Sequence, residues 1–172
     1  MGFSNAQIQT NSLPQLDDVV LKPISKRYLN IILINQSIFF AIIFTGLFLL
    51  RNFINHEEVQ QVFWYIFSVI TVLFVLNVLI SILAFRKRKY AIREHDIIYS
   101  KGLVFNSITT VPLSRVQHIE ESRSWLARQF NLATLNIFTA GESGSDLSIK
   151  GLPKDEARQI NDFISAKING ND

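Results

Sequence analysis

The chain has 172 residues, 48 % of them hydrophobic, with a net charge of +3 and no cysteine. The lack of cysteine excludes a disulfide framework and any thiolate metal site. The small surplus of Lys and Arg gathers beside two apolar runs, so it leaves no electrostatic footprint for nucleic acid, and no nucleic-acid partner is expected.

In chain order, a segment covering residues 1–27 comes first, and two runs without a charged residue follow, Leu29 to Leu50 and Val62 to Phe85. Each is long enough for the about 20 helical residues that cross a bilayer. Residues 28–85 therefore read as a transmembrane hairpin with a loop around Asn52 to Gln61, and residues 86–172 as one small soluble domain. A cleaved signal peptide is disfavoured, because the first run exceeds an h-region and no small-residue cleavage site follows it.

Lys22, Lys26 and Arg27 precede the first run, and Arg86, Lys87, Arg88, Lys89 and Arg93 follow the second. Lys and Arg near a membrane resist translocation, so both termini are expected to be cytoplasmic, in a multi-pass protein of the cell (cytoplasmic) membrane.

Neither run holds an ionisable residue, which argues against conduction by this chain alone. Asn30, Ser37, Ala41 and Thr45 share one helical face, and Asn77, Ser81 and Ala84 form a comparable face on the second run. Small and polar faces are where membrane helices pack. These faces are expected to meet, within the chain or in a homo-oligomer, with Ser37 and Asn77 at similar depth.

From Lys89 onward, short runs rich in Ile, Val, Tyr, Thr and Phe are broken at frequent turn signals. Strands are predicted at Lys89–Arg93, Ile97–Phe105, Ile108–Val111, Val116–Glu120, Thr134–Thr139 and Leu147–Lys150. Leu135 and Ile137 share one face of the fifth. A short helix capped by Ser122 should run to Phe130 with Trp125, Leu126 and Phe130 buried, followed by Asn131 in a left-handed conformation. After Gly151-Leu152-Pro153, a last helix carries Ala157, Ile160, Ile164 and Ile168 at helical spacing, with Asp155 and Glu156 in its first turn and Gly170 past its end.

The segments Val111 to Ile119, Ala127 to Leu135, Phe138 to Gly141 and Ile149 to Leu152, with Leu21-Lys22-Pro23 ahead of the first span, resemble the two-span subgroup of the bacterial pleckstrin-homology family. Asn131 stands where that family usually has Gly. The resemblance implies an α+β fold, a transmembrane helical hairpin followed by a small PH-like barrel or roll capped by a C-terminal helix. It implies no catalysis and no established ligand.

Candidate chemistry is sparse. His56, His95 and His118 have no metal-ligand spacing, and Ser114, His118 and Asp146 lack a nucleophile elbow. Gly141 to Ser145 reads as a hairpin turn, since Glu142 would oppose an anion. No cofactor, metal or enzymatic activity is expected. Arg86, Lys87, Arg88 and Lys89 form a polybasic patch suited to anionic headgroups. Arg115, Gln117, Arg123 and Arg128 are the candidate partner surface, because Arg is favoured at interfaces; ordinary solvation or ion pairs with Glu120 or Glu121 would explain them as well. The expected role is a membrane-anchored adaptor that assembles with itself or with other membrane proteins, a family paralogue among them. The alternatives are an accessory subunit of an export or self-protection complex and a module sensing anionic lipid.

Overall fold

The computed structural model describes residues 19–53, 57–103, 105–140 and 147–170. Strand β1 (Lys22–Pro23) leads into helix α1 (Arg27–Phe53), and helix α2 (Glu57–Arg86) packs along it. Gln36 meets Asn77 and Ser81, Phe40 meets Phe74 and Phe44 meets Phe67, so the two helices are antiparallel. Helices of 27 and 30 residues are about 40 and 45 Å long at the α-helical rise. They run beyond both apolar runs, which shortens the expected Asn52–Gln61 loop at each end. Intrahelical hydrogen bonding satisfies the backbone near a membrane better than an open loop does.

Most of the hairpin's apolar surface is uncovered: Phe39 is 61 % and Leu79 is 52 % exposed. A soluble core helix would bury that surface, so the solvent around this hairpin is hydrocarbon. At the end remote from the soluble domain, Trp64 and Tyr65 are exposed and the Arg51 guanidinium lies 5.1 Å from the centre of the Phe63 ring and 5.4 Å from that of Trp64. Exposed Trp and Tyr beside a cation are typical of the membrane–water boundary.

The soluble part holds β2 (Lys89–Ile92), β3 (Asp96–Lys101), β4 (Ser107–Pro112), a 3-10 turn (Leu113–Arg115), β5 (Val116–Ser122), α3 (Trp125–Gln129), β6 (Leu132–Thr139), β7 (Leu147–Pro153) and α4 (Lys154–Ile168). These strands form two antiparallel sheets, of order β1-β2-β3-β4 and β5-β6-β7. They do not close into a barrel: among the described residues β4 pairs only with β3, and β5 only with β6. The arrangement is an open α+β roll, with α4 packed against β5, β6 and β7.

Alternation along β6 and α4 places the core as expected. Leu135, Ile137, Ile149, Ala157 and Ile164 are fully buried, and Ile168 packs at the margin. Asn131 takes a φ of 57° between α3 and β6, and Gly170 a φ of 71° past α4. β3 ends at Lys101, four residues before the expected Phe105, which is exposed. β5, β6 and β7 extend past their predicted bounds. The expected turn at residues 141–145 lies outside the described residues.

Two further expectations are corrected. Ser124, not Ser122, caps α3, its side chain accepting the Ala127 N–H. Ser122 remains in β5 because its hydroxyl accepts from the Asn136 side chain. Trp125 is 67 % exposed, and Ala127 takes its place on the buried side of α3. Leu126 and Phe130 remain on the inward side, packed against Ile31, Ala127 and Leu132.

Candidate functional site at the membrane junction

The chain before the first span and the chain after the second are built into one sheet. Lys22 pairs with Tyr90 and Pro23 with Lys89, so both ends of the hairpin lie on the same side of it. Two residues after β1, the Ser25 N–H donates to the Gly151 carbonyl at 3.0 Å.

Gly151 is the extra residue of a bulge: Ala133 pairs with Leu152 and Thr134 with Lys150. Its φ of 81° belongs to the left-handed region, and a Cβ there would stand 2.5 Å from Cγ of Tyr28. Only glycine lets β7 bend this close to the first turn of α1. One turn further, Ile31 packs with Ala127 of α3 and Leu132 of β6. The soluble domain is thus seated on the hairpin through packed side chains.

Between α1 and the outer face of the second sheet lies a cleft of about 530 Å³. Tyr28, Ile31 and Asn35 form its α1 wall. The opposite wall is polar, because β-pairing sets Thr134 beside Ser122 and Lys150, and Asn136 beside Ser148, on one face. Asn136 donates to Ser122 at 3.1 Å and accepts from Ser148 at 2.9 Å. This wall escaped sequence analysis. Its only signal was the polar alternation of Thr134 and Asn136 opposite Leu135 and Ile137.

The basic patch borders the same junction. Arg86, Lys87 and Lys89 are exposed, while Arg88 is half-buried with its guanidinium 5.9 Å from the centre of the Tyr28 ring. Lys26 and Arg27 at the start of α1 are also exposed.

The Arg115, Gln117, Arg123 and Arg128 group is divided. Arg115 precedes β5 and Arg123 follows it, a separation of about 25 Å along a strand. Gln117 is the bulged residue near the Arg115 end and is exposed. Arg123 lies between β5 and α3, and its Nε donates to the Leu132 carbonyl at 3.1 Å. Arg128 is exposed on α3, beside the hairpin. Among the described residues no ion pair joins these arginines to Glu120 or Glu121.

In the hairpin, Gln36 rather than Ser37 meets Asn77, at 2.6 Å, and also donates to Ser81. Ser37, Ala41 and Thr45 are exposed, so the expected meeting of the two faces does not occur within the chain. Asn77 and Ser81 had the right face but another partner, one helical position away. His118 stacks on Phe138 with ring centres 4.1 Å apart, and no group of His, Asp and Glu able to hold a metal occurs among the described residues.

The family model for the bacterial PH domain matches residues 32–168, which includes most of the hairpin as well as the soluble domain. The UPF0699 transmembrane protein YdbS of Bacillus subtilis (strain 168) is 32 % identical over 102 residues. That stretch is 59 % of this chain and 59 % of the relative. No solved structure matches significantly.

Proposed function

Starting from this chain's membership of the bacterial PH-domain family and its similarity to a transmembrane protein, we propose that it is a non-catalytic, membrane-anchored assembly module. In this reading the soluble domain lies at the cytoplasmic membrane face and holds copies of itself or other membrane proteins there. The observation that carries it is the clamp of β1 on β2 together with the Ser25–Gly151 contact. A domain joined to its anchor by a flexible linker samples many orientations. A domain locked into the base of the hairpin presents its outer surfaces at a set height and angle, as a scaffold requires.

Two surfaces suit the role. The exposed Ser37, Ala41 and Thr45 face of α1 offers close helix approach to a partner in the bilayer. The β4 edge, with Ile108 exposed, offers backbone groups to an added strand. The cations around both ends of the hairpin support the cytoplasmic orientation.

Photo-crosslinking from positions 41 and 45 in native membranes, followed by identification of the adducts, tests the assignment. Adducts with the same chain or with defined membrane proteins are expected. Recovery of lipid adducts alone would overturn it, and a large transporter as the adduct would favour the accessory-subunit alternative. A reporter fused after Asp172 should be active only as a cytoplasmic fusion.

A further inference from the structure

We propose that the junction cleft is a binding site for one anionic glycerophospholipid. Its phosphate would lie against Lys150 and the Ser122–Asn136–Ser148 row, and its acyl chains along α1. This inference is separate from the assembly role and does not depend on it.

The position of the cleft selects the membrane as the source. Its α1 wall spans the first turns of that helix, beginning beside the exposed Lys26 and Arg27 where the apolar run starts. A lipid in the facing leaflet brings its phosphate to this level without leaving the bilayer. Ile31 supplies apolar contact just below it.

The chemistry of the walls selects an anion. Among the described residues, Lys150 is the only ionisable cation lining the cleft and no carboxylate lines it. Glu120, paired with Asn136 across β5, lies outside the lining. After the internal bonds to Ser122 and Ser148 are counted, Asn136 still has one amide hydrogen to give, and Ser122 still has its hydroxyl proton. An ammonium beside hydroxyl and amide donors matches a singly charged phosphodiester with a hydroxylated headgroup.

A second observation points the same way. Trp125, the first residue of the helix that carries Ala127 into the cleft, is 67 % exposed, with Arg128 exposed one turn on. An exposed Trp next to a cation at the base of a hairpin belongs in the headgroup region, where the indole is half apolar and half polar.

Native mass spectrometry of the intact chain, released from micelles containing equal phosphatidylglycerol and phosphatidylcholine, tests the proposal. One retained phosphatidylglycerol per chain is expected. Lys150→Gln should reduce its retention about tenfold, the loss of one charge-assisted bond, and Asn136→Leu should also lower it, while Lys87→Gln leaves it unchanged. Far-UV circular dichroism verifies that each variant is folded. With Trp64→Phe leaving Trp125 as the remaining tryptophan, headgroup-proximal brominated lipid should quench its fluorescence. Unchanged retention by Lys150→Gln, or equal retention of phosphatidylcholine, would overturn the site. Displacement of the lipid by sn-glycerol 3-phosphate would assign the cleft to a soluble phosphate ester and overturn the lipid occupant.

Discussion

The Tyr90 hydroxyl donates to Oε1 of Glu156, and the Lys22 ammonium reaches the same oxygen at 2.7 Å. One carboxylate thereby fastens three parts of the chain: the strand before the first span, the strand after the second, and the last helix. Burial, and then the bond to Glu156 and its charge, push the Tyr90 phenol well above its ordinary value of 10.0.

Tyr90→Phe should lower stability by about 1.5 to 3 kcal/mol, the usual range for a hydrogen bond to a charged group. Lys22→Ala should cost less than about 1 kcal/mol, because the Lys22 side chain is 62 % exposed. Thermal unfolding of the full chain in detergent measures both. The raised Tyr90 value also sets an alkaline dependence. Its stabilisation is complete below the unfolded phenol's value of 10.0 and is lost as pH rises beyond it, so the gap between wild type and Tyr90→Phe narrows there.

Acid conditions act on a different pair. Arg93 Nε donates to Asp96 Oδ1 at 2.6 Å, and a second guanidinium nitrogen meets Oδ2 across the β2–β3 turn. The hydrogen bonds from Arg93, then its charge and that of His95, hold the Asp96 carboxyl below its ordinary value of 3.8. A lowered folded value means stabilisation that is present above the unfolded value and lost as pH falls through the folded one. Asp96→Asn should therefore be less stable than wild type at neutral pH and equal to it in strong acid, as read from unfolding midpoints across a pH series.

The bulge at Gly151 gives the sharpest structural test. Gly151→Ala meets both a left-handed backbone and the Tyr28 ring, and should lose more than the about 1 to 2 kcal/mol of the backbone penalty alone. Adding Tyr28→Ala should recover the steric part and leave the backbone part. A double-mutant cycle in thermal unfolding separates them.

The absence of native cysteine makes the hairpin packing directly measurable. Cysteines at 36 and 77 should be joined within one chain by a short bifunctional thiol reagent, because the Gln36 and Asn77 side chains meet end to end. Cysteines at 37 and 77 should not, since Ser37 faces outward. Gln36→Leu should weaken the hairpin by about 0.6 to 2 kcal/mol, the range for polar contacts between membrane helices. Mobility on non-reducing gels reports the crosslinks, and unfolding in mixed micelles the energies.

Sequence patterns were most legible where the physics is local and periodic. Charge-free runs gave the two spans, and spacing gave the α4 stripe of Ala157, Ile160 and Ile164. Asn131 was readable because few residues tolerate its backbone conformation. β1 was not readable: two residues, Lys22 and Pro23, have no period, and their partner lies beyond the whole hairpin. Among the candidate site residues, the spacing of the arginines follows from the element between them. Arg115 and Arg123 are eight positions apart, and the β5 strand between them sets them at opposite ends of one extended element. The polar cleft wall was invisible because Ser122, Asn136, Ser148 and Lys150 become neighbours only once three strands are in register.

The pairing of Lys22 with Tyr90 also imposes an order on biosynthesis. The leading strand must wait for its mate until the ribosome has delivered both spans to the bilayer. A chain threaded with one span missing would leave the two mates in different compartments, with β2 bare at the sheet margin. The two-residue ladder can therefore close only in a chain whose two spans have both entered the bilayer.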